Sequence, residues 1–368
     1  MRLTLPKWYD LHAHFRQGPI IPDLIADHLR MGCAGILAMP NTKPPVAKIH
    51  RADAGDFWSI EEYTDMLLAA GADAFDTIIV PLYLTKSTTP QMIEKGAKSG
   101  LLRAAKYYPP HGTTGADFGV PLDHYMDNGV LQAMADNNVI LCVHGEEHNL
   151  PPESYFARDN NAEEIFYKNR MPRLVAQFPT LKIVAEHVTS KIAVDFVRDA
   201  PDTVAATVTP QHLLYTVGHL LQGLKYHLYC LPLPKFDTDR DSIRAAIMDP
   251  ANKKFFAGTD SAPHTQKVTP CGCAAGCYTG GIAPQLYAQS FEIAGQDLSD
   301  TGIQAVFSRF LSENGANFYD LPLQKAQFTL KRGTETVKTL NTAAGTIIPL
   351  PAGLSADPAV LPWSIETA

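Results

Sequence analysis

The sequence has no run of 18 uncharged apolar residues, no low-complexity linker and no excess of positive charge. The first absence argues against a membrane-spanning helix, which needs about 20 apolar residues in a row. The opening stretch "MRLTLPKWYDLHAHFR" also has no apolar core of signal-peptide length, so the expectation is a soluble, cytoplasmic protein. Lys plus Arg number 31 against 38 Asp plus Glu, a formal charge of -7 that offers no field to draw nucleic acid or an anionic membrane surface. Partners are expected to be small molecules or further copies of the chain. Cysteine is scarce: six among 368 residues, read as thiols rather than a disulfide framework. Three of them, Cys271, Cys273 and Cys277, crowd into "CGCAAGC", but no fourth ligand at zinc-like spacing stands nearby.

What the chain does have is rhythm. Hydrophobic residues make up 45% and charged residues 19%, enough to bury a large core. Eight short β-rich runs recur: "WYDLHAH", "GILAMP", "TIIVPLYL", "LLRAAKYYP", "VILCVHG", "KIVAEH", "VAATVTP" and "KFFAGTD". Between most lie stretches of helical period, at Pro22 to Met31, Ser59 to Ala70, Asp123 to Asn137, Ala162 to Phe178 and Arg240 to Met248. Strand then helix, eight times, predicts an α/β fold of the (β/α)8 TIM-barrel type, a single domain over residues 1–368. From about residue 320 the rhythm gives way to Pro-rich chain, expected to be an irregular, partly extended segment packed on the barrel.

The chemistry collects where strands end. The first run ends in His12 and His14, the fourth in Lys106, the fifth in His144, the sixth in His187 and the eighth in Asp260. In a barrel these ends meet at one mouth, so residues far apart in sequence become neighbours. Alternate strand residues share a face, which aims both imidazoles of H-x-H the same way. A lone histidine after an apolar run is more often a core residue than a ligand; four at matching positions are enough for two divalent ions that share bridging anions, zinc among the suitable metals, with Asp260 as a carboxylate ligand. A bridging anion is then missing, and Lys106 stands where it would be expected. An ammonium about 4 Å from a divalent ion is repelled by roughly 8 kcal/mol at an effective dielectric near 20. Two readings fit the residues equally: a lysine that snorkels to the mouth or pairs with a substrate carboxylate, and a deprotonated lysine that adds CO2 to become a bridging carbamate.

The ordered set H-x-H, Lys, His, His, Asp resembles the amidohydrolase superfamily. In wording, "DLHAHFRQG", "AMPNTKPPV", "AAKYYP", "LCVHGE", "EHVTS", "TPQHLL", "HLYCLPLPK", "GTDSAPH" and "CGCAAGC" closely resemble its dihydroorotase family, of the shorter bacterial homodimeric type, from about Trp8 to Tyr319. The resemblance implies zinc-dependent, reversible closure of N-carbamoyl-L-aspartate to dihydroorotate in pyrimidine biosynthesis. It implies two Zn2+ per subunit, one on His12 and His14 with Asp260, the other on His144 and His187, bridged by Lys106 as N6-carboxylysine. A hydroxide between the metals would attack the ring carbonyl, with Asp260 as general acid and base. Arg16, Asn41 and His264 would hold the substrate carboxylate, Leu231 and Ala274 would meet the ring through backbone groups, and Thr113 and Thr114 match a loop that closes over substrate. A homodimer is implied as well. This chain departs in reading Arg16-Gln17-Gly18 where the family often has R-D-G, and in one extra residue within the cysteine loop.

Hydantoinases and allantoinases are the nearest alternative, but they usually place a β-rich segment of some fifty residues before H-x-H, and His12 leaves no room for one. A non-catalytic barrel kept for interaction is the other, against which every ligand position is filled. His212 in "TPQH" is left open; His28, His50, His111, His124, His148, His219 and His227 are read as surface or structural.

Overall fold

All eight apolar runs form strands in the computed structural model, which describes the chain except for His111, Cys271 and residues 367–368. The structural reading of His111 and the place of Cys271 in the cysteine cluster therefore lie outside the described residues. After an N-terminal strand β1 (Arg2–Pro6), the runs appear as β2 (Trp8–Ala13), β3 (Cys33–Ala38), β4 (Thr77–Ile79) with β5 (Leu82–Tyr83), β6 (Ala104–Tyr107), β7 (Ile140–Val143), β8 (Ile183–Ala185), β9 (Val204–Val208) and β10 (Phe255–Ala257). They read as continuous apolar runs because both faces are covered: every residue of β2, β3, β6, β7 and β9 is buried. The third run splits in two around Val80-Pro81, where proline has no N–H for the ladder.

The pairing is parallel throughout this central sheet. One part has the order β2-β3-β4 and the other β5-β6-β7-β8-β9-β10. Just past β10 the chain returns to the first strand. Ala13 bridges Ser261 in parallel sense, the Asp260 N–H donates to His12 O at 2.8 Å and the His14 N–H donates to Ser261 O at 3.0 Å.

The helical stretches fall where periodicity places them, with two subdivided. The 123–137 stretch is two helices, Leu122–Asp127 and Val130–Asp136, separated at Gly129, whose φ of 83° only glycine adopts cheaply. The 162–178 stretch breaks into Ala162–Asn169 and Met171–Gln177, because Pro172 cannot donate into a continuing helix and sits in the first turn of a new one.

The C-terminal segment differs from expectation. Its irregular stretches are as expected, but its extended parts form a sheet rather than isolated chain: β11 (Gln327–Thr336) and β12 (Val360–Glu366) join β1 in antiparallel order β1-β11-β12. Only Phe328 and Leu330 of β11 are buried, so half-buried alternation is confined to its first residues and polar chain masks the rest. Trp363 of β12 is fully buried and its Nε1 donates to Glu292 Oε2 at 3.1 Å, which docks the sheet on the helical shell. The described cysteines, Cys33, Cys142, Cys230, Cys273 and Cys277, are free thiols.

Candidate active site

The strand ends meet at one small cavity. His12, His14, His144, His187 and Asp260 line it, together with Arg16, Asn41, Thr113, Thr114 and Leu231. Three of these residues hold backbone conformations that side chains rarely adopt: Arg16 (φ 57°), His187 (φ 41°) and Asp260 (φ 47°). Such strain persists where the surroundings over-determine it, and here it turns three functional side chains off their strands toward one centre.

His12, His14 and Asp260 form a group whose ligand atoms lie within 4.8 Å of one another. His14 Nε2 is 2.9 Å and His12 Nε2 3.4 Å from Asp260 Oδ1. The rings of His144 and His187 have centroids 4.8 Å apart, and His187 lies 5.1 Å from His12. Burial alone would raise the Asp260 carboxyl; hydrogen bonds from His12 and His14, and their charge, outweigh it and hold the group well below the usual carboxylate range. Burial, then the Arg16 charge, depresses His14 to about 4, and burial with the neighbouring His144 charge keeps His187 neutral.

Three of the four imidazoles are oriented from behind, while His187 Nδ1 has no hydrogen-bond partner among the described residues. His12 Nδ1 donates to Glu186 Oε2 at 2.6 Å, and that carboxylate is itself fixed by Thr207 Oγ1 at 2.6 Å. His144 Nε2 donates to Glu146 Oε2 at 2.9 Å, and His14 Nδ1 to Asn41 Oδ1 at 2.7 Å. Asp10, fully buried, accepts from Thr259 N–H at 2.9 Å and Thr259 Oγ1 at 2.6 Å, locking the first strand against the residue before Asp260. Carboxylates behind histidines in this manner are the usual support of metal ligands. Glu186, Glu146 and Asp10 are not singled out by the sequence, although each lies within two residues of an expected ligand; Glu186, one residue before His187, is off the i, i+2 alternation and is marked only by its bond to His12.

Lys106 is fully buried and is not among the residues that line the cavity. Its Nζ has no hydrogen-bond partner among the described residues and sits 5.1 Å from the centre of the Tyr108 ring. Burial lowers its pKa, against the opposing charges of Glu186, Cys142 and Asp260. An unpartnered buried amine is costly and is the kind of exception that has a functional cause. A second conflict lies at His14. A neutral imidazole carries one proton, yet His14 faces two acceptors, at 2.7 and 2.9 Å. A cation held by Nε2 and Asp260 satisfies both. The donor set of imidazole nitrogens and a carboxylate therefore fits a divalent metal.

The expected substrate contacts divide. Arg16 lines the cavity with no carboxylate at ion-pair distance among the described residues. The Asn41 amide is already engaged, accepting from His14 and donating to Thr114 O at 3.0 Å, so it ties the Thr113–Thr114 loop to a ligand histidine. His264 does not line the cavity; its Nε2 donates to Ala275 O at 2.8 Å and lies 3.4 Å from Arg16 Nη2. Ala275, and not Ala274, lines the cavity. The Ala274 N–H and carbonyl both turn back onto Lys267, and Ala275 with Gly276 takes the place on the cavity wall, a shift of one that the extra loop residue explains. His212 is buried away from the cavity, bonded to Thr209 Oγ1 at 2.7 Å and Pro232 O at 3.0 Å, a structural role.

No protein-family model matches the chain. Among curated proteins, a dihydroorotase of Shewanella amazonensis is 39% identical over 369 residues, covering 99% of both chains. Among solved structures, dihydroorotase from Saccharomyces cerevisiae in complex with 5-fluoroorotic acid superposes with a TM-score of 0.83 at 25% identity, covering 99% of this chain and 98% of that one. An L-hydantoinase from Arthrobacter aurescens, at 13% identity and a TM-score of 0.73 over 98% of this chain and 82% of its own, shares the fold alone. With its full length matched at that identity, the chain belongs to the dihydroorotase family, cyclic-amide hydrolases of the amidohydrolase superfamily.

Proposed function

We propose that the chain interconverts dihydroorotate and N-carbamoyl-L-aspartate, opening or closing a cyclic amide in pyrimidine nucleotide synthesis. The observation that carries this reading is one cavity lined by both the ligand group His12, His14 and Asp260 and the Arg16 guanidinium, which has no carboxylate at ion-pair distance among the described residues. The full proposal has two Zn2+ per chain, one on His12, His14 and Asp260 and one on His144 and His187, with Lys106 carboxylated as their bridge. It also has the two parts of the parallel sheet closed as a (β/α)8 barrel, supported by the bridge between Ala13 and Ser261. The working unit is a cytoplasmic homodimer, a reading that rests on family resemblance; among the described residues no helix is long and apolar enough to cross a membrane.

Bound divalent metals would lower the pKa of a water to about 7 and polarise the ring carbonyl. The rest is done by side chains and backbone. Asp260, ionised, takes a proton from the attacking water as the C–O bond forms and returns it to the ring nitrogen as the C–N bond breaks. Arg16 grips the substrate carboxylate in a fork that fixes the ring relative to Asp260. Backbone groups of Leu231 and Ala275 meet the amide edge, and the Thr113–Thr114 loop, held by Asn41, excludes water from the closed cavity.

Purified protein with two equivalents of zinc should consume dihydroorotate, followed by loss of ultraviolet absorbance; no turnover would overturn the reading. Dihydrouracil, which lacks the carboxylate, should be a far poorer substrate, and equal rates would favour a hydantoinase. Arg16→Met should raise KM for dihydroorotate by about 10- to 100-fold, the worth of a charge-assisted fork, while leaving metal content unchanged. Loss of metal in that variant would contradict the assignment.

A further inference from the structure

Two irregular stretches that carry no reactive side chain reach the cavity, one at Leu231 and one at Ala275 and Gly276. Neither the Leu231 nor the Ala275 N–H meets an acceptor among the described residues, so both are free for a ligand. The stretches are more than forty residues apart, and the side chain of Lys267 lies between them. Lys267 is 7% exposed and has no carboxylate at ion-pair distance among the described residues. Its Nζ donates to Tyr229 O at 2.7 Å, to Ala274 O at 2.6 Å and to Gly276 O.

An ammonium has three protons and no acceptor, and three carbonyls receive them. Burying a charge without a counter-ion is tolerable only where such bonds replace its hydration, so the three carbonyls are held as firmly as the lysine is. The Gly276 N–H crosses the same gap to Tyr229 O at 2.9 Å. Close packing fixes the loop from the other side: a Cβ added at Gly276 would come within 2.6 Å of the Ala262 Cβ on the cavity wall.

We infer that Lys267 is a positioning residue for the reaction: its ammonium ties the 229–231 stretch to the 274–276 stretch and so holds the backbone of Leu231 and Ala275 in register with the ring of the bound substrate. This rests on the dihydroorotate reading above. A lysine serving stability alone would affect the whole molecule; one that sets the two stretches affects ring binding.

Lys267→Met keeps side-chain length and burial while removing every donor. Assayed on dihydroorotate beside the wild type, it should raise KM by about tenfold or more with kcat within about threefold, at equal metal content. Lys267→Arg, which restores donors, should recover most of the loss. Hydrogen–deuterium exchange of the metal-loaded Met variant should quicken at 229–231 and 274–276 and stay unchanged in β2 and β6 to β10. An unchanged KM overturns the proposal, as does a fall in kcat accompanied by metal loss. If the Met variant does not fold, Lys267→Gln takes its place, and failure of both to fold makes Lys267 a general stability residue and rejects the positioning role. An inactive wild type would count against the assigned reaction, and exchange at the two stretches would still decide whether Lys267 ties them.

Discussion

Asp260→Asn should lower kcat by about three orders of magnitude or more, with KM changed far less. The general base is worth roughly 10²- to 10⁴-fold by itself. Asparagine keeps the shape but has no basic oxygen, so it neither takes the proton of the attacking water nor returns it to the ring nitrogen. The cost extends further, because Oδ1 is also the acceptor that His14 and His12 converge on, at 2.9 and 3.4 Å. Its replacement removes one negative charge from the ligand group and weakens metal retention. Steady-state kinetics with metal analysis on the same sample separates the two effects. Near-normal kcat with full metal would show that another group carries the proton.

Lys106→Met should abolish activity and, in the metal-free chain, raise stability. In the absence of metal the lysine is a buried amine with no partner among the described residues, a penalty of about 1–3 kcal/mol. Methionine is apolar and similar in length, and it removes that cost while packing among the buried Ala104, Ala105 and Cys142. Melting of metal-free protein should shift upward by about 1–2 °C per kcal/mol for a domain of this size. The metal-loaded comparison should run the other way, since the variant cannot provide a bridging carbamate. Lys106→Ala should lose metal and activity as well, with partial rescue by acetate or propionate. A Met variant that is less stable without metal would mean the amine is solvated or paired, and full activity in either variant would end the bridging proposal.

Much of this architecture is legible in the sequence for one physical reason: a parallel strand covered on both faces must be apolar along its whole length, so β2, β3 and β6 to β10 announce themselves. The same reason makes a charged residue at the end of such a run conspicuous, which is how Lys106, His144, His187 and Asp260 stand out. What fails to stand out are residues whose meaning depends on a partner across the fold. Glu186 is an ordinary acidic residue until His12 lies 2.6 Å away, and Lys267 is an ordinary lysine until two loops close on it. The β11 strand is missed because its pairing partners, β1 and β12, are near the two ends of the chain and its own pattern is mostly polar. Which alanine of the cysteine loop reaches the cavity is not legible either, because an insertion in a loop has no periodicity by which to locate it.

The contact between the first strand and the chain just past the last has a consequence for how the molecule assembles. His14 and Asp260 are 246 residues apart in sequence. Closing a loop of that length costs about 5 kcal/mol of chain entropy, and no local structure offsets it in advance. The ligand group therefore comes together only after the intervening strands have docked and brought the two ends side by side. Ion capture is in this sense a late event, and its rate during refolding should report completion of the native topology rather than its nucleation.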